Sequence, residues 1–210
     1  AAASWRAETC AFNPAGLAYL NEQFSMPSNP AKVGALIFFF PAFTDSTGES
    51  IVQPVLSWGA NGKTGVTSGN IWYLTSWYGD DGTYYVSNSA HVNPPGTVVG
   101  EIQRGLCYSG NTDCQWTIVT SVGSTSVSLI WPGGPEMTQV FGGVMEVPWA
   151  YGCVETPPTG HEAFRNLKVN DATGSGSYTP TFQDYKNVDP QCSVSAGDSS
   201  GVNTDITWAP

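Results

Sequence analysis

Ile71-Trp72-Tyr73-Leu74-Thr75-Ser76-Trp77-Tyr78-Gly79-Asp80-Asp81-Gly82-Thr83-Tyr84-Tyr85 consists of two aromatic, β-prone runs joined by Asp-Asp-Gly. Aromatic and β-branched side chains suit a pleated, half-buried surface, and Asp-Gly supplies the left-handed backbone that a tight hairpin needs. The carboxylates of Asp80 and Asp81 are therefore read as turn residues and not as metal ligands. Outward from this hairpin the same grammar continues. Short β-rich runs at 17–25, 34–41, 50–58, 71–78, 83–91, 97–103, 114–122, 125–131 and 139–147 are punctuated by Gly, Pro, Asn and Asp, and Gly123-Ser124 makes another tight turn. A helical period shows only faintly, at Leu17, Leu20 and Phe24. The expected fold class is all-β: an antiparallel β-sandwich of concanavalin-like or jelly-roll type.

After Val147 the pattern weakens. Residues 157–210 are rich in Gly, Ser, Thr, Pro and Asp, with short apolar patches at 163–169 and 178–185. They hold too few apolar side chains for a core of their own. The chain, 1–210, is thus expected to form a single sandwich domain, with about 157–210 as an extended loop-rich segment packed on it.

Charge narrows the functions. Lys and Arg number 7 against 17 Asp and Glu, a net charge of -10, and only 11% of residues are charged. Without a basic patch to neutralise phosphates, nucleic acid is an improbable partner, and anionic membrane surfaces are disfavoured for the same reason. The longest apolar run, 35–40, is far shorter than the roughly 20 residues of a membrane-crossing helix. Ala1-Ala2-Ala3-Ser4 has neither the charged nor the apolar region of a signal peptide, which fits a processed, secreted chain. Cys107 and Cys114 bracket the turn-rich Tyr-Ser-Gly-Asn-Thr-Asp and are expected to pair. Cys153 with Cys192 is a plausible second bridge that leaves Cys10 free, though an odd count leaves other pairings open.

The chemistry-bearing residues are few. His91 and His161 are the only histidines, and neither sits in a metal-binding spacing, so no metal site is expected. No Gly-x-Ser-x-Gly elbow and no phosphate-binding glycine loop is present; no cofactor is implied. What remains is carboxylates, amides and rings. In Ile51-Val52-Gln53-Pro54-Val55-Leu56-Ser57-Trp58 the alternation sends Ile51, Gln53 and Val55 to one face and Val52, Pro54 and Leu56 to the other. Gln53 is the polar residue of that apolar strand. In Gln139-Val140-Phe141-Gly142-Gly143-Val144-Met145-Glu146-Val147-Pro148-Trp149, Glu146 is the lone ionisable group. A half-buried carboxylate is how proteins make general acids and bases.

Taken together, these strands resemble the eqolisin-type glutamic peptidases, which are secreted, acid-active β-sandwiches of about this length. The likeness runs over roughly residues 16 to 150. Ile51-Val52-Gln53-Pro54-Val55 is similar to the family's glutamine strand, Ile71 to Asp80 to its aromatic strand, and Met145-Glu146-Val147 to its general-base strand; Glu22-Gln23-Phe24-Ser25-Met26-Pro27 is similar to an earlier one. Three positions depart from the family pattern. Pro54 stands where a Gly follows the glutamine, Ser76 where an acid precedes the Trp-Tyr pair, and Phe38-Phe39-Phe40 where a Trp is found. The resemblance implies peptide hydrolysis at acidic pH, with Glu146 as general base and acid and Gln53 as oxyanion stabiliser. Trp58, Trp72, Ser76, Trp77 and Tyr78 are the expected substrate-binding residues. A competing reading uses the same aromatic groups, with Tyr84 and Tyr85, as a sugar-stacking platform of a lectin-like protein. A third, a glycosidase or lyase, would need a carboxylate pair such as Glu146 with Glu155. The ligand is then a polypeptide or a carbohydrate.

Overall fold

The computed structural model describes residues 5–31, 34–60, 62, 69–108, 112–149, 153–174, 176–186, 192–198 and 200–209; the four residues read above for a leader lie outside this set. The strands are β1 (Trp5–Phe12), β2 (Leu17–Ser25), β3 (Leu36–Thr44), β4 (Ser50–Trp58), β5 (Trp72–Asp80), β6 (Thr83–Val86), β7 (Ala90–Val92), β8 (Thr97–Tyr108), β9 (Asp113–Val122), β10 (Thr125–Gly134), β11 (Gln139–Trp149), β12 (His161–Asp171), β13 (Ser177–Tyr178), β14 (Gln183–Lys186), β15 (Ser195–Asp198) and β16 (Thr204–Thr207). A short 3-10 turn, Cys153–Glu155, follows β11.

They form two antiparallel sheets. The first has the order β14-β1-β11-β3-β4-β5-β6, with β7 beside β5; the second has the order β10-β9-β8-β2-β12-β16-β15, with β13 beside β12. The fold is a β-sandwich. Disulfides join Cys107 to Cys114 across the β8–β9 hairpin and Cys153 to Cys192, and Cys10 is free.

The first sheet departs from the usual arrangement, in which one face of an antiparallel sheet is apolar and the other is wet. Every residue of β3 is buried. Ile37, Phe39 and Phe43 face the second sheet, in clusters that include Phe24 and Val98, and Ile102 and Trp116, of that sheet. Phe38, Phe40 and Ala42 point the opposite way and join Trp5, Val55, Trp77, Phe141 and Val144 in a separate apolar layer on the outer face. That layer is the floor on which the candidate site is built.

Two prolines shape the centre of this sheet. The β3–β4 pairing lapses between Phe39↔Leu56 and Phe43↔Val52, the place where Pro41 and Pro54 face each other without N–H groups to donate. Gly100 of β8 lies against both rings from the second sheet. A β-carbon there would come within 2.6 Å of the Pro54 ring and 3.4 Å of Pro41.

The segment after residue 157 is more than a tail packed on a finished sandwich. β12 is an interior strand, held between β2 and β16. The sequence pattern hides it for two reasons. Its pairing with β2 shifts between Arg165 and Lys168, where Asn166 has φ 58°, so the inward residues run 162, 164, 167, 169 and break the alternation. In addition, one of its inward positions is occupied by a carboxylate, Glu162.

Candidate active site

A cavity of about 730 Å³ opens on the outer face of the first sheet; its lining includes Trp5, Phe38, Gln53, Trp77, Tyr84, Phe141 and Glu146. Strand register explains how these residues meet. Trp5, Glu146, Phe38 and Ser57 form one row across β1, β11, β3 and β4. Cys10, Phe141 and Ala42 form another, which continues by register through Gln53 to Trp77. Glu146 shares a face with Phe141 only because β11 carries a bulge between Phe141 and Val144, at Gly142-Gly143. Strict alternation would have put the two on opposite faces.

Gln53 and Glu146 therefore belong to one face and one cavity, from strands with β3 between them. The row of Val144, Phe40 and Val55 separates them, so their backbones are offset by four residues, about 13 Å along the strands. Trp77 and Phe38 stand in the same lattice relation, two strands and two rows apart, and their rings approach to 5.9 Å. Gln53 and Glu146 are shorter side chains. What lies between them is the middle of the cavity.

The walls are held firmly. The Trp77 indole donates its Nε1–H to Thr75 Oγ1 at 2.7 Å, Thr75 Oγ1 is 3.4 Å from Ser57 Oγ, and the ring meets Tyr84 edge-on at 5.8 Å. Trp5 packs edge-on against Phe141 at 5.1 Å and Phe40 at 5.6 Å. Gln53 is 6% exposed and belongs to the lining of the cavity. Burial pushes the Tyr84 phenol above its ordinary pKa, and the charge of Glu146 adds to the shift.

The other expected site residues lie elsewhere. Trp58 and Trp72 are 2% and 1% exposed and pack on each other at 5.2 Å in the core between the sheets. Ser76 is fully buried against the second sheet, 2.9 Å from Thr120 Oγ1. Tyr78 is stacked on Trp131 at 4.6 Å. None of these four belongs to the lining of this cavity; each is buried in the packing between the sheets, and the reason is parity. On β5, Trp72, Leu74, Ser76 and Tyr78 share the inward face, which leaves Trp77 as the member of the aromatic run that faces out into the cavity. Of the rings expected to form a sugar platform, Trp77 and Tyr84 line the cavity, Tyr85 lies beside Trp131 at a sheet edge, and Trp72 and Tyr78 are buried. Glu155, the expected second carboxylate of a glycosidase pair, is buried in the 3-10 turn and is not part of the cavity lining. His161 is held 2.8 Å from Asp205 on the second sheet. Among the described residues no group of three potential ligands is arranged for a metal ion. Trp5, Gln139 and Glu49 also line the cavity, and no local pattern in the sequence marks them.

No protein-family model matches this chain, and no curated protein matches it. Solved structures do. Scytalido-glutamic peptidase with a peptide-based transition-state analog superposes with a TM-score of 0.65 at 11% identity, and the same peptidase with a transition-state analog inhibitor gives 0.63 at 12%. SCP-B, a member of the eqolisin family of peptidases in complex with the tripeptide Ala-Ile-His, gives 0.60 at 13%. Each comparison covers 98% of both chains. At such identities the likeness establishes a shared fold, that of the eqolisin glutamic peptidases.

Proposed function

We propose that the outer-face cavity binds a stretch of extended polypeptide and hydrolyses a peptide bond within it, with Glu146 as general base and then acid and Gln53 as oxyanion donor. The observation that carries this reading is that the Gln53 amide and the Glu146 carboxylate line one cavity on the outer face of the first sheet. A side-chain amide has N–H groups that can donate to a substrate carbonyl held in that cavity. In the proposed cycle ionised Glu146 accepts a proton from water as the water oxygen bonds to the carbonyl carbon. The Gln53 Nε2–H donates to the oxygen as it becomes negative. Protonated Glu146 then donates to the amide nitrogen as the C–N bond breaks, releasing an acid and an amine and restoring the carboxylate. The base must be ionised before attack and protonated before release, which suits acidic conditions. The two disulfides fit an oxidising, extracellular setting.

The test is digestion of an unfolded protein between pH 3 and 7, followed by mass spectrometry. Fragments are expected at the acidic end. Glu146→Gln should slow their appearance by at least about 100-fold, and Gln53→Ala by about 100-fold, the usual effect of losing one oxyanion donor. Undiminished cleavage by Glu146→Gln overturns the assignment of the base. A second reading, peptide binding without turnover, is favoured by the row of side chains between Gln53 and Glu146. It predicts that peptides are retained by the wild-type protein without any fragments.

A further inference from the structure

Two stretches of the chain, 83–100 and 114–135, contain no Asp, Glu, Lys or Arg. The first supplies β6 and β7, and the second supplies nearly all of β9 and β10. The fold brings both to one side of the sandwich. β6 ends the first sheet and β10 ends the second; the Tyr85 ring of β6 lies 4.1 Å from the Trp131 ring of β10, and β10 also packs against β5 and β7. Tyr85 is 42% exposed. Depletion of charge around accessible aromatic rings is the composition of an interface core.

β10, 10 residues long, is an open edge. Among the described residues it pairs with β9 alone, so its other side presents N–H and C=O groups along the strand. Proteins usually protect such an edge with charge, proline, a bulge or brevity. Here Pro132 and the pairing shift between Trp131 and Gly134 protect only the end of the strand, and 125–131 carries no such device. Its apolar side chains are also incompletely covered. Val127 is buried, whereas Leu129 and Trp131 on the same inward face are only half-buried against the core. On the outward face Ser126 and Ser128 are exposed, and Ile130 is 60% exposed.

We propose that a second copy of this chain docks on this edge: the two β10 strands pair antiparallel about a twofold axis at Ser128, and the second sheets of both copies become one continuous sheet. Charge selects the occupant. Chains of net charge -10 repel one another over most of their surface, and the neutral side is where that repulsion is least. The twofold register also matches the strand to itself. Val127 faces Leu129 of the second copy and Thr125 faces its Trp131 on the inward side, while Ser126 faces its Ile130 on the outward side. Parity is kept throughout, and Leu129 and Trp131 gain the cover that they lack in one copy. Such an isologous contact closes at two copies. It lies away from the cavity and does not rest on the function proposed above.

Sedimentation equilibrium at pH 5.5 between about 1 and 200 μM tests the proposal, with hydrogen exchange as a second readout. The mass should rise from 22.3 kDa toward twice that value, and amides within 125–131 should gain protection as it does. Because the copies carry charge of one sign, raising salt from 20 mM to 0.5 M should strengthen the association. Ser128→Lys sets two ammonium groups against each other at the axis and should weaken it by at least about 30-fold. Gln103→Lys makes the same charge change at an exposed outward position of β8, two strands from the edge, and should leave the dimer intact. A wild-type mass that stays at the monomer value overturns the proposal. So does a dimer that salt weakens, that forms without protection of 125–131, that survives Ser128→Lys, or that Gln103→Lys disrupts equally.

Discussion

Raising the pH from 4 to 8 should lower the thermal unfolding midpoint of this protein by on the order of 10 °C, and replacing Glu22 and Glu162 by Gln should remove most of that fall. Both carboxyls face inward from the second sheet and are fully buried. Glu22 lies between Leu20 and Phe24 on β2, and neither of its oxygens has a hydrogen-bond partner in the protein. Glu162 accepts from Ser25 Oγ at 2.9 Å through one oxygen only. Burial drives both well above the ordinary carboxyl value of 4.5; Arg165 opposes this for both groups, as do hydrogen bonds for Glu162.

Below pH 4.5 the folded and unfolded chains both carry these protons, and the stability that depends on them is fully present. Above it the unfolded chain releases them while the folded chain holds them, so the native state binds more protons and stability falls as pH rises toward the folded values. Each unit of separation is worth about 1.4 kcal/mol, and in a chain of this size 1 kcal/mol moves the midpoint by about 2–4 °C. Glu8, also raised chiefly by burial, acts in the same direction. Asp205 acts oppositely. There the upward push of burial is outweighed by hydrogen bonds and charge from Arg165 and His161, so its contribution is lost as pH falls; at the surface that contribution is small. Calorimetry of the wild type and of the Glu22→Gln/Glu162→Gln variant across this range is the check. A wild-type midpoint that rises from pH 4 to 8, or a slope unchanged in the variant, refutes the account.

Gly100→Ala should cost about 3 kcal/mol, at the upper end of the usual range for overpacking a core. The added methyl carbon would sit 2.6 Å and 3.1 Å from two atoms of the Pro54 ring, with Pro41 at 3.4 Å behind it. Neither proline ring can rotate away as a leucine side chain could. Relief therefore requires the sheets to separate locally, and the strand that moves is β4, which carries Gln53 next to Pro54. The substitution should thus lower the urea midpoint and weaken peptide binding together. A stability loss below about 0.5 kcal/mol would mean that the sheets yield at this point more easily than close packing allows.

Much of the fold is written locally. β2 and β4 have the bounds that alternation and turn residues suggest, and the Asp80-Asp81-Gly82 turn joins β5 to β6 as its chemistry demands. The 83–91 run divides into β6 and β7, which pair with opposite ends of β5. β1 gives little signal, because Arg6, Glu8 and Thr9 interrupt its apolar residues, although Glu8 and Thr9 are themselves buried. β12 is obscured by its bulge and by Glu162.

The site follows the same division. Sequence alone determined the all-β class, the turns, the placing of Gln53 opposite in parity to Val52 and Pro54, and the shortage of basic residues. These are properties of neighbouring residues and of composition, and they need no knowledge of what packs where. Only the tertiary structure decided which parity faces inward. With apolar residues on both faces of the first sheet, alternation cannot tell Trp77 in the cavity from Trp58, Trp72 and Tyr78 in the core, since each is an aromatic ring in a strand. It also decided that Glu146 shares a face with Phe141, because a bulge, set by the pairing of β11 with β1 and β3, shifts parity where a periodic reading cannot see it.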